Sequence, residues 1–226
     1  MALGNGHAAG TLAFLQDEIE AINGVRAPPV AGFLLGRDGA RAAGAEPQAP
    51  EALLVVEGEE GPLVGLFLDT SVLVALAADP HHRRPRLTTR GVIGGLACAA
   101  EGVSHFVYLA TRAEAGRPVS LLELEVQAEV DKFALLLLHL WRRGLRRMSG
   151  ALRNRLFERV RFRAHLAGEA LERYRTANRL GSGYARWLEG RFVEEADVEG
   201  LLRELRASYR LGAGEKLGYL GARALH

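Results

Sequence analysis

The sequence predicts an α+β protein that is mostly α: an N-terminal helix and a β-hairpin, packed on a C-terminal bundle of five to six helices. Three observations predict it. Residues 52–57 and 63–69 are short runs rich in Val, Leu and Phe, joined by Gly58-Glu59-Glu60-Gly61-Pro62, which is a hairpin pattern. Beyond residue 87 the chain shows no strand pattern, and apolar residues recur at helical spacing. Residues 133–141, FALLLLHLW, are apolar on every side, as a helix at the centre of a bundle is. The expected division is an N-terminal α/β-hairpin subdomain, 1–86, and a helical bundle, 87–226.

Each element has its own signal. Residues 1–10 are small and Gly-rich and read as a loose arm. Leu12, Leu15, Ile19 and Ile22 fall at helical spacing, and Asn23-Gly24 supplies a stop, so residues 11–23 read as a helix. Residues 30–35 are apolar but too short to assign to strand or helix. Residues 37–50, rich in Ala, Gly and Pro, read as a surface loop. After the hairpin, residues 70–79 read as a helix that stops at Pro80, and HHRRPR, 81–86, as an exposed basic linker. Val92, Leu96, Val103, Phe106 and Leu109 mark a helix over 88–114, broken by Gly116-Arg117-Pro118. Ser120 and Glu123 make a capping box that opens the next helix, which runs to about Arg143. Further helices are expected at 150–165, 169–190, 197–211 and 215–224.

Composition narrows the function classes. The chain has 226 residues with 48% hydrophobic and 25% charged, the balance of a soluble globular protein. Arg greatly outnumbers Lys, a bias that suits a GC-rich bacterial genome. Cys98 is the only cysteine, so no intrachain disulfide forms and a reducing cytoplasm is the expected compartment. The longest apolar run, 133–141, is far short of the about 20 residues of a membrane span, so no membrane role is expected. A net charge of +2 hides an asymmetry. Residues 1–140 hold 10 Lys/Arg against 17 Asp/Glu, and residues 141–226 hold 19 against 10. A basic half suggests an acidic partner, which is another molecule, the acidic half of the same chain or that of a second copy.

Residues 65–80, GLFLDTSVLVALAADP, resemble the opening of PIN-domain ribonucleases, in which the Asp holds a divalent metal. That fold continues as alternating strands and helices with further acids at strand ends, and none follow here. Asp before Thr-Ser and an apolar helix is also the ordinary arrangement of an N-cap, so Asp69 is expected to cap a helix beginning near Ser71.

Three constellations remain. Glu101 and His105 are four apart on one helix, and Glu125 and Glu129 are four apart on the next. If these helices pack antiparallel, the four groups converge, as carboxylates and imidazoles do when a bundle binds iron, manganese or zinc. The other reading is a buried hydrogen-bonded cluster that includes Arg112 or Lys132. Arg159-x5-His165 resembles the Arg-x4–6-His motif of HEPN ribonucleases, which implies RNA cleavage by a dimer. Lastly, Arg153, Arg155, Arg159, Arg161, Arg163, Arg175 and Arg179, with Tyr174 and Asn178, suit phosphate contact with base stacking.

The expected function is therefore a non-enzymatic binding or accessory protein. Its Arg-rich helices contact nucleic acid or an acidic protein partner, with no cofactor, and a homo-oligomer is compatible with it. The alternative is a helical enzyme, either dependent on a divalent metal at Glu101, His105, Glu125 and Glu129 or a HEPN-like ribonuclease.

Overall fold

A computed structural model describes residues 2–59, 61–77, 90–160 and 167–225. The fold is α+β and mostly α, with a small three-stranded sheet and a helical bundle. The chain divides into two compact units, Met1–Glu20 with Arg26–Thr111, and Ala21–Val25 with Arg112–His226. The expected boundary at residue 86 and the basic linker 81–86 lie outside the described residues.

In the first unit, helix α1 (Ala2–Asn23) presents Leu12, Leu15 and Ile19, all fully buried. It begins well before residue 11. The glycines of the expected arm are carried in the helix, where Ala8 and Thr11 are already buried. Gln16 fixes the chain after α1. Its amide accepts from the Val30 N–H at 2.8 Å and donates to the Pro28 carbonyl at 2.9 Å and to Glu20 at 2.8 Å. Residues 30–35 prove to be both candidates in turn: a 3-10 turn, Val30–Phe33, and a two-residue strand β1, Leu34–Leu35. The expected loop 37–50 opens with a short helix, α2 (Arg37–Ala42).

The hairpin forms as expected, β2 (Glu51–Gly58) antiparallel to β3 (Gly61–Leu68). Strand β1 adds parallel to the other side of β3, giving the order β1-β3-β2. Gly65 is needed where β1 crosses, because a Cβ there would stand 2.3 Å from Leu35 Cδ1. Helix α3 (Thr70–Ala77) follows, and Asp69 caps it: its carboxylate accepts from the Ser71 N–H at 2.8 Å and the Ser71 hydroxyl at 2.6 Å. Those bonds, followed by the Arg37 ion pair, hold the Asp69 carboxyl below its ordinary range. Helix α4 (Arg90–Glu114) buries Leu96, Val103, Phe106 and Val107. Phe33 packs on Phe106 with ring centroids 4.8 Å apart. Gly102 lets α4 lie on the sheet, since a Cβ there would meet Glu51 at 2.8 Å and Leu66 at 3.0 Å.

The second unit is built on α5 (Leu121–Arg142), which is buried on nearly every side from Glu125 to Leu138, as FALLLLHLW predicts. Its capping box forms, with Ser120 accepting from the Glu123 N–H at 3.2 Å. Helix α6 (Ser149–Arg153) runs into a π-helical turn, Asn154–Glu158, and the helix expected over 150–165 ends there; residues 161–166 lie outside the described ones. Helix α7 (Gly168–Leu188) packs on α5 through Gly181, where a Cβ would stand 2.8 Å from that of Glu129. Helix α8 (Val198–Arg210) is capped by Asp197, and α9 (Ala213–Ala224) closes against α7 at Gly183 and Ala224. Among the described residues no helix is long and apolar enough to cross a membrane.

Candidate nucleic-acid interface

The second unit carries 22 Lys/Arg against 15 Asp/Glu, a net of +7, while the first carries a net of −5. Where the arginines point decides what this charge can do. On α7, Arg175, Arg179 and Arg186 are spaced by four and seven residues, which places them on one face, and all three are exposed. The stripe runs about 16 Å at 1.5 Å per residue. Arg175 bonds Glu172 one turn back at 2.7 Å, an exposed pair that a stronger anion can open.

The opposite face of α7 is fastened. Ala177, Gly181, Tyr184, Ala185 and Leu188 are buried. The Tyr184 hydroxyl donates to Glu204 of α8 at 2.9 Å, and Tyr219 of α9 donates to the same carboxylate at 2.8 Å. Burial, reinforced by the Glu204 charge, pushes Tyr184 well above its ordinary range and Tyr219 up to about 12. Arg223 lies over the Tyr219 and Trp187 rings, 3.4 and 4.7 Å from their centroids. The arginine stripe therefore sits on a rigid helix.

The other expected contact residues divide into two groups. Arg155 and Arg159 are exposed beside α7. Arg153 is a brace: its guanidinium donates to Glu189 at 2.7 Å and to Glu158 at 2.8 Å. Asn178 donates to the Phe157 carbonyl at 3.1 Å, which ties α7 to the π-helical turn. Tyr174 is half-buried with Arg173 over its ring. Arg161, Arg163 and His165 lie outside the described residues, so Arg159 is the one member of the HEPN-like pair that is described. The sequence reading passed over Arg186, and also Arg146 and Arg147. These last two line a pocket of about 430 Å³ together with Ser149, Gly150, Glu189, Val193 and Glu194. The spacing of Arg186 from Arg179, two helical turns, was the available signal.

Of the four candidate metal ligands, His105, Glu125 and Glu129 have partners within their own unit. His105 Nδ1 lies 3.2 Å from Glu51 in the first unit, and Glu101, on the same helix, is half-buried. In the second unit Glu125 faces Arg173 at 3.7 Å, and Lys132 bonds Glu129 at 3.1 Å. Among the described residues no group of three or more His, Cys, Asp or Glu side chains is arranged to hold a metal ion.

The strongest polar chemistry of the second unit is buried. Lys216 of α9, fully enclosed, donates to Gln127 at 2.6 Å; Gln127 donates to Asp131 at 2.8 Å, and Asn23 donates to the same carboxylate at 2.9 Å. The Lys216 ammonium also lies 5.3 Å from the Tyr209 ring centroid. Burial, with Arg112 nearby, brings Lys216 down to about 7, against the pull of Asp131 and Glu123. Arg112 is itself buried, 3.6 Å from Glu123, and donates to the Tyr209 carbonyl at 2.7 Å and to that of Leu211. Nothing in GAGEK, residues 212–216, announces this burial. Lys216 is closed to solvent, and within the second unit the network ties Asn23 and Arg112 to α5, α8 and α9. Comparison with known proteins finds no matching family model, no matching curated protein and no matching solved structure.

Proposed function

We propose that the chain is a non-enzymatic binding protein whose second unit takes the phosphate backbone of nucleic acid on the exposed arginines of α7. The observation that carries this reading is the stripe of Arg175, Arg179 and Arg186 on one face of a fastened helix, in a unit of net charge +7. Arginine matches phosphate geometry with two parallel hydrogen bonds, and a row of them tracks a backbone without reading bases. Arg155 and Arg159 extend the set. The absence of exposed aromatic rings along the stripe favours backbone contact over base stacking.

The test is the salt dependence of binding of a mixed-sequence duplex to the full chain, read by fluorescence anisotropy. Three to five phosphate contacts give a slope of log K against log[salt] of about −3 to −4.5. Affinity should depend little on base sequence. If neither duplex nor single strand binds at low salt, nucleic acid is removed. If an acidic polypeptide binds instead with one or two dominant arginines, the partner is a protein surface.

A further inference from the structure

Strand β2 forms one edge of the sheet, and among the described residues it pairs with β3 alone. Its eight pairs run from Glu51 opposite Leu68 to Gly58 opposite Gly61 without a bulge, and the strand holds no Lys, Arg or Pro. Bulges, lysines and prolines are the usual guards of an open edge, and β2 lacks all three. Its middle is apolar and uncovered: Val55 is 52% exposed, Val56 36%, and Leu63 across the ladder 61%. With Leu34, these are four of the ten exposed large hydrophobic residues among those described, gathered on one small sheet. Leu54, Val56, Leu63 and Gly65 share a face, and with Leu35 and the small residues of α2 they line an apolar groove of about 390 Å³.

We infer that β2 is a self-association edge, pairing antiparallel with β2 of a second copy of this chain about a two-fold axis through Val55. Two identical edges turn the same alternate residues outward, so an antiparallel axis must pass through a residue, not between two. An axis through Leu54 sets Glu51 opposite Glu57. An axis through Val56 shortens the ladder and sets Glu57 opposite Val55. The axis through Val55 pairs Leu54 with Val56 twice over, Ala52 with Gly58, and the stem of Glu57 with Leu53. No carboxylate then faces another inside the strand, and Glu51, already held by His105, meets Glu59 only past the strand end. This fit of charge and apolar residues on both sides is what selects a second copy as the occupant. A strand of eight residues is about 27 Å long. Such a strip buries less than the about 800 Å² per partner of a standard interface, so the dimer is a weak, concentration-dependent one.

Sedimentation velocity on the full chain, from about 1 to about 100 μM, tests this over the range where an interface of that size associates. The wild type should pass from monomer to dimer. Val55→Lys should stay monomeric, because the axis sets two like-charged side chains directly opposite, with their Cβ atoms about 5 Å apart. Val55→Glu should do the same, and an equal mixture of the two variants should dimerise again, since the axial residue meets its own copy. Val74→Lys, which adds the same charge at an exposed position on α3, should leave the dimer intact. A wild type that is monomeric throughout, a dimer indifferent to Val55→Lys, or folded variants that stay monomeric when mixed would each overturn the proposal. Should a variant fail to fold, amide exchange in the wild type decides: β2 amides must slow as concentration rises, and no change rejects the edge.

Discussion

The two units treat charge in opposite ways. In the first, net −5, Gln16 and Glu20 hold the turn at residues 27–30, Asp69 holds the start of α3, and His105 makes a buried pair with Glu51. In the second, net +7, charges lie both deep inside and far outside. Arg112, Glu123, Asp131 and Lys216 are buried and bonded across helices, while Arg175, Arg179 and Arg186 stand in solvent. The difference teaches where substitutions will act. Interior charges of the second unit are coupled to the fold, local caps of the first unit to one element each, and the exposed arginines of α7 to little of the fold.

The sharpest way to break this comparison is Arg112→Met. It leaves Glu123 buried without its cation and strips a donor from the carbonyls at the end of α8. Removing one partner of a buried pair costs about 3–5 kcal/mol. Urea unfolding should show a loss of that order, or a chain that does not fold at all. A loss below about 1 kcal/mol, as for a surface pair, would erase the distinction between the units.

Lys216 gives the next effect, and pH reads it. Its folded pKa, about 7, lies below the ordinary 10.5, so between these values the unfolded chain binds more protons. Stability therefore rises with pH from about 7 upward, by at most about 1.4 kcal/mol per unit, and is flat below. Tyr184 and Tyr219 act in the opposite sense, since their pKa values are raised on folding, but only above about pH 10, where tyrosine in the unfolded chain ionises. Comparing wild type with Lys216→Met between about pH 7 and 9.5 isolates the lysine, because the variant should lose the slope. An equal slope in both proteins would show that Lys216 keeps its charge in the fold.

A smaller effect belongs to the first unit. Asp69→Ala removes the cap of α3 and should cost about 0.5–2 kcal/mol, while Asp69→Asn, which still accepts from Ser71, should cost less. Because the Asp69 pKa is lowered on folding, its contribution is present above about pH 4 and fades as pH falls below that. A thermal melt of both variants at neutral pH checks the order. If Asn is as harmful as Ala, the Arg37 ion pair and not the cap is what matters.

How much of this was legible in the sequence follows from the range of the interactions. Asp69, the Ser120–Glu123 box and the hairpin are local patterns, and the structure has them where the residues put them. The apolar run at 133–141 announced a buried helix because no face was left for water. Strand β1 was not legible, since two leucines carry no period; its existence depends on Gly65, thirty residues away, being open enough to receive Leu35. The helical start of α1 was hidden by its glycines, whose preference is overridden once Ala8 and Thr11 are packed. For the candidate site, the density of arginine was plain; of the two bases offered as partners for the Glu/His cluster, Lys132 bonds Glu129, while Arg112 faces Glu123 instead. Which arginines face solvent was not plain: Arg153 and Arg175 look alike in sequence, yet one is tied to Glu189 and Glu158 and the other is exposed. Lys216 was least legible, because it bonds Gln127, 89 residues away, and feels the charges of Arg112, Glu123 and Asp131.

The smallest effect on stability should accompany the clearest effect on binding. Arg179→Ala removes an exposed guanidinium from the middle of the α7 stripe, and surface changes of this kind stay within about 0.5 kcal/mol. The same substitution should lower the salt slope of nucleic-acid binding by about 0.9, one released counterion's worth. Arg186→Ala should do likewise, and the double variant should add the two losses, since eleven ångströms of helix separate the positions, about 1.5 Å for each of seven residues. Arg153→Ala is the contrast. It removes a brace between Glu158 and Glu189, so it should weaken the fold measurably while changing the slope little. The two readouts then cross: stability falls for Arg153, and slope falls for Arg179 and Arg186. If the slope instead falls equally for all three, binding draws on the net charge of the unit, and the stripe on α7 has no special part in it.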